Sequence, residues 1–113
     1  MLVEIADHKW EEFHKIADLT HGERVLDVWL VYRPTTVPTQ VSKADLVFED
    51  GRRIEAFNKQ RYLGSDETHL SRFPIPVDLQ GEEHQVYVEV LAGGTQYKSP
   101  VFSFTALPKE DTL

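Results

Sequence analysis

The sequence predicts an all-β protein, an antiparallel sandwich of six or seven short strands, with a short helix competing with a strand at the N-terminus. Two observations carry this. From Arg24 onward apolar residues recur at every second position, the period that puts one side of a strand on a core. The runs are short and are separated at regular intervals by glycine and proline turn signals, the layout of sandwiches and barrels.

In the N-terminal segment, residues 1–22, Trp10, Phe13, Ile16 and Ala17 recur at helical spacing. Asp7 is a candidate cap, Glu11 and Lys15 form a favourable i,i+4 pair, and Gly22 is a candidate stop. The helix is the preferred reading; the alternative is a first strand over 13–19. The period then changes to two. Over 25–33 the even positions Leu26, Val28, Leu30 and Tyr32 are expected inward, and the other face carries Val25, Asp27, Trp29, Val31 and Arg33. Two prolines make 34–40 a loop.

The next strand, 43–49, points Ala44, Leu46 and Phe48 to one side and returns through Ile54 and Ala56. A two-residue Asp-Gly turn would set Leu46 against Glu55, mixing core with solvent. A three-residue loop, Glu49, Asp50 and Gly51, pairs Leu46 with Ile54 and Ala44 with Ala56, and a one-residue slip would flip every side chain. Residues 58–68 read as a polar connection. Phe73, Ile75, Val77 and Leu79 alternate with Pro74 and Pro76, so that strand belongs at an edge or is bulged. After a turn at 80–83, Val86, Val88 and Val90 form an inward row. Gly93 and Gly94 close a hairpin into a last strand over 97–106.

In general layout this order resembles immunoglobulin-like and fibronectin-III-like sandwiches. The resemblance is architectural: the Cys…Trp…Cys spacing is absent, and Tyr87 lies opposite the face of Val86 and Val88, so there is no clean tyrosine corner. The whole of 1–113 is read as one domain, with a fraying tail over 107–113.

Composition narrows the chemistry. With no cysteine, disulfides, thiolate metal sites and thiol nucleophiles are excluded. A formal net charge of −7 disfavours nucleic acid, and the basic clusters Arg52-Arg53 and Lys59-Gln60-Arg61 make no stripe. Neither a signal-peptide pattern nor a bilayer-length apolar run is present. A soluble, cytoplasmic protein is expected, or a secreted one if the chain is an excised domain.

The five histidines, His8, His14, His21, His69 and His84, lack ligand spacing, so no metal site is expected. The adjacent acidic pairs Glu11-Glu12, Asp66-Glu67 and Glu82-Glu83 read as solvated surface, since neighbours on a strand point to opposite faces. Neither a G-x-S-x-G frame nor a phosphate-cradling loop occurs. The expectation is a non-catalytic domain without a cofactor.

Outward aromatic and apolar residues are the candidate binding residues: Trp29, Tyr87, Phe57 and Leu91. They suggest a protein-protein interaction module first. A carbohydrate-binding module using the same aromatics and a structural subunit of a larger assembly are the alternatives. Against a site at Trp29 stands the option that Trp10, Phe13 and Ile16 fold back over it.

Overall fold

The computed structural model describes residues 2–11, 24–33, 39–58, 62–63 and 68–106. Among them two antiparallel sheets pack as a β-sandwich. One sheet has three strands in the order β1 (Leu2–Glu11), β2 (Arg24–Arg33), β6 (Thr68–Ile75). The other has six. Its main path runs β4 (Arg53–Glu55), β3 (Thr39–Phe48), β7 (Glu83–Ala92), β8 (Thr95–Lys98); β5 (Tyr62–Leu63) also pairs with β3, and β9 (Phe102–Thr105) with β7.

The core lies between the sheets. Leu26, Val28 and Leu30 of β2 and Phe73 and Ile75 of β6 face Ala44, Leu46 and Phe48 of β3 and Val86, Val88 and Val90 of β7. All of these are buried, as the period-two pattern anticipates. The Tyr32 side chain and the 107–113 tail lie outside what is described.

The first strand departs from the helical expectation. Residues 2–11 are extended and pair with β2 from Leu2↔Arg33 to Glu11↔Val25. The register shifts between Ile5 and Asp7. That irregularity puts Val3 and Ile5 in one phase and His8 and Trp10 in the other, so no unbroken alternation shows in the sequence. Trp10 pairs with Leu26 and packs on the core near Phe104, their ring centroids 6.0 Å apart. Phe13, Ile16 and the alternative strand over 13–19 lie outside the described residues.

The β3–β4 hairpin has the expected loop. Leu46 pairs with Ile54, and the Ala56 amide donates to Ala44 O at 2.9 Å. Gly51 takes φ 92°, a value that L side chains reach only under strain. Gly93 and Gly94, both with positive φ, close the β7–β8 hairpin as a two-residue turn.

Other boundaries move. β3 starts at Thr39, so the expected loop over 34–40 loses its last two residues, and β5 occupies part of the expected connection. β6 starts at Thr68 and ends at Ile75; Val77–Leu79 is a single 3-10 turn, with Val77 in water and Leu79 buried. The apparent alternation through Val77 therefore continues past the strand's end. Pro74 lies on an edge strand, as its missing N–H requires. That edge is closed by the chain after β4. The Phe57 amide donates to Arg72 O, and the Asn58 carboxamide both donates to Leu70 O and accepts from the Arg72 amide. The last strand is split into β8 and β9 at Pro100, where the Ser99 hydroxyl accepts from the Val88 amide at 2.9 Å.

Candidate functional site: a charged groove on the outer face of the larger sheet

The expected binding residues do not form one patch. Tyr87 and Leu91 lie on β7 on the outer face of the six-stranded sheet. Trp29 lies on the outer face of the other sheet, paired with Asp7 and Leu70. Phe57, 43% exposed, sits at the seam where the chain after β4 hydrogen-bonds to β6.

Trp29 is not an open platform. It is half-buried, and Asp27 and Val31, its neighbours on the same strand face, are buried. Val25 on that face is also fully buried, yet neither valine belongs to the core cluster between the sheets. Trp10 does not fold over Trp29, because β1 lies beside β2 in the same sheet and Trp10 is on the core side.

Tyr87 and Leu91 instead border a groove of about 440 Å³, lined by Lys43, Asp45, Arg53, Tyr87, Glu89, Leu91, Gln96 and Lys98. Strand register explains the grouping. Glu55, Asp45, Glu89 and Lys98 form one rung across β4, β3, β7 and β8, and Lys43, Leu91 and Gln96 form the next. Side chains on a rung share a face, so the outward positions of four strands converge.

At the floor lie two carboxylates, Asp45 at 4% and Glu89 at 7% exposure. Directly opposed like charges repel, and the Arg53 guanidinium holds them together. Its Nε donates to Asp45 Oδ2 at 3.2 Å, and its Nη2 lies 3.1 Å from the same oxygen and donates to Glu89 Oε1 at 2.5 Å. Hydrogen bonding to Glu89, reinforced by Asp45, holds the guanidinium above its ordinary pKa. Lys43 Nζ stands 3.5 Å from Asp45 Oδ2, beyond ordinary hydrogen-bond length.

All three of these cationic contacts of Asp45 go to Oδ2. Asp45 Oδ1 is buried and has no hydrogen-bond partner among the described residues. Leaving a buried acceptor unsatisfied costs about 1–3 kcal/mol, more for a charged group, so such an atom asks for a donor. On the other side of the groove, Lys98 Nζ lies 5.4 Å from the Tyr87 ring centroid, a cation–π contact. Among the described residues it has no carboxylate partner.

The histidines do not gather. His8 stacks near Phe102, with centroids 4.9 Å apart, and His69 pairs in register with Leu30. His84 is buried beside Phe48 and Phe104, its Nε2–H donating to Leu79 O at 2.6 Å. His14 and His21 lie outside the described residues, among which no three or more His, Asp or Glu side chains are placed to hold a metal ion. Nor is any helix among them long and apolar enough to cross a membrane.

Of the residues lining this candidate groove, the sequence singles out Tyr87 and Leu91 and does not single out Asp45, Glu89 or Arg53. Their only local signal is one acid in an outward position within each apolar run, and the β3–β7 register that joins them is not local. Comparison with known proteins finds no matching family model, no matching curated protein and no matching solved structure.

Proposed function

We propose that the chain is a non-catalytic binding module whose ligand, a small polar molecule, sits in the groove on the outer face of the six-stranded sheet. The observation that carries this is a groove that brings a half-exposed tyrosine together with Asp45, a buried carboxylate one oxygen of which has no hydrogen-bond partner among the described residues. Ligand sites are usually lined mainly by apolar and aromatic side chains with a few polar groups; this groove is mainly polar, which is why the ligand proposed is a polar one.

A protein partner, the first expectation, receives less support. Protein hot spots are enriched in Trp, Tyr and Arg, and interface cores are depleted in Lys, Glu and Asp. Here three cationic and two anionic side chains line the groove. The large apolar side chains in water stand apart: Phe57 at the seam, Val77 in the 3-10 turn, Val101 between β8 and β9. A binding role is favoured over catalysis because Asp45 and Glu89 are neighbours on one sheet and share one guanidinium, whereas an acid–base pair flanks its substrate.

The strand order also supports an immunoglobulin-like or fibronectin-III-like reading of the sandwich, since the chain passes between sheets after β2, before β6 and after β6. Such a fold analogy names no ligand.

Thermal unfolding with a panel of neutral sugars, small carboxylates and amines tests the proposal. A ligand at about 100 times its Kd adds about 2.7 kcal/mol, which raises Tm by about 10 °C in a domain of this size. At least one panel member is expected to raise Tm in the wild type and not in Tyr87→Ala. A rise that survives unchanged in Tyr87→Ala and Asp45→Asn would refute the placement.

A further inference from the structure

We infer that the groove takes a neutral polyhydroxylated ligand, a saccharide whose ring lies against Tyr87 and whose hydroxyl groups bridge Asp45 to the lysines. This rests on the groove being the binding face.

A cation meets Lys43, Arg53 and Lys98, and Lys98 has no carboxylate partner among the described residues. An anion meets Asp45 and Glu89 and gives Asp45 Oδ1 no donor. A hydroxyl group both donates and accepts, so one group can give its proton to the carboxylate and receive one from an ammonium. Neighbouring hydroxyls on a ring repeat that pattern, which suits a groove lined by both carboxylate acceptors and ammonium donors. Gln96 adds an amide with both functions.

The apolar part of the groove fits the same class. Tyr87, Glu89 and Leu91 share one face of β7 at every second position, and from Tyr87 to Leu91 the strand advances about 13 Å. A half-exposed ring at one end, an aliphatic side chain at the other and a carboxylate between them offer C–H faces and hydroxyls a surface longer than one sugar ring.

Two side chains must yield. Lys43, 48% exposed and 3.5 Å from Asp45 Oδ2, is too far for a good hydrogen bond and can swing away from the carboxylate. Lys98 rests on the Tyr87 ring by a loose contact at 5.4 Å. Both are long, solvent-facing amines, so moving them costs little. Binding therefore turns two weakly held donors toward the ligand.

Calorimetric and NMR titrations of the full chain test this, with neutral trisaccharides of glucose, mannose, galactose and N-acetylglucosamine, citrate as the anion and spermidine as the cation. The expected result is that one neutral trisaccharide binds and shifts the amides of Tyr87, Glu89 and Leu91. Its affinity changes less than about twofold between low and high salt, because no net charge is exchanged. Asp45→Asn and Tyr87→Ala each weaken it at least about tenfold, equivalent to about 1.4 kcal/mol. Tyr87→Phe, which keeps the ring, stays within about threefold of the wild type, and circular dichroism confirms that each variant is folded. Binding of citrate or spermidine at these residues, with every neutral trisaccharide silent, overturns the saccharide class while leaving the groove as the binding face. Silence from every probe, or shifts confined to residues outside the groove, overturns both.

Discussion

The outer faces of the two sheets each carry a buried aspartate in mid-strand with a cation on an adjoining strand. On the three-stranded sheet Asp27 pairs in register with Lys9 and Arg72, and Arg72 Nε lies 3.4 Å from its Oδ1. On the six-stranded sheet Asp45 is held by Arg53 and pairs with Glu89. Their surroundings differ. Around Asp27, Val25 and Val31 are buried and Trp29 is half-buried. Around Asp45, Val47 is buried too, but the lysines are exposed, Tyr87 and Leu91 are half-buried, and a groove opens. A buried charge on a strand thus has two meanings. Where no groove opens beside it, the face is read as contributing to stability. Where a groove lined by exposed lysines opens beside it, the charge is proposed to meet a ligand.

A new charge placed on each face puts this contrast under the heaviest load. Val25→Asp sets an unpaired carboxylate at a fully buried position and should cost about 4 kcal/mol or more, read as loss of cooperative urea unfolding or a large fall in its midpoint. Leu91→Asp, on the half-open face, should leave the fold intact with a loss below about 1.5 kcal/mol. Comparable losses from the two would erase the distinction.

Arg53→Met tests how the groove floor is held. Removing one member of a buried pair typically costs about 3–5 kcal/mol. Arg53 is 42% exposed, so water reaches the acids when it is gone, and about 1–3 kcal/mol is expected. Adding Asp45→Asn and Glu89→Gln to Arg53→Met should recover part of that loss; greater instability of the triple variant would show that the guanidinium does not serve to offset acid repulsion.

The smallest effect concerns the exposed pair Arg52–Asp78, with Nη1 2.8 Å from Oδ2. The hydrogen bond from Arg52 holds the Asp78 carboxyl below its ordinary value of 3.8. A lowered folded pKa gives stability that is present above the unfolded pKa and is lost as pH falls through the folded one. Wild type and Asp78→Asn should therefore differ slightly above about pH 4 and converge as the pH falls through the lowered folded value, with the difference shrinking in high salt. Equal stability at all pH values would show that this pair contributes nothing.

How far the fold is legible depends on whether a feature is local. The loop Glu49-Asp50-Gly51 is read correctly because only one register keeps Leu46, Ile54, Ala44 and Ala56 on the core face. The valine row of β7 and the Gly93-Gly94 turn are legible for the same reason. β1 is hidden because its irregularity after Ile5 breaks the alternation and leaves Trp10 to be counted into a helical stripe. The single last strand fails at Pro100, whose missing N–H interrupts pairing with β7. At the site, Tyr87 and Leu91 are visible as out-of-phase apolar residues. Asp45, Glu89 and Arg53 become a cluster only when β3 pairs with β7. Those strands are distant in the sequence, so the rung Asp45↔Glu89 leaves no mark in the local pattern of either one.

One NMR titration with neutral trisaccharides reports on both outer faces at once, because the Trp29 indole N–H marks the three-stranded sheet and the amides of Tyr87, Glu89 and Leu91 mark the groove. The groove amides should shift with saturating dependence on ligand while the Trp29 indole stays in place. A moving Trp29 indole beside unmoved groove amides would contradict the account.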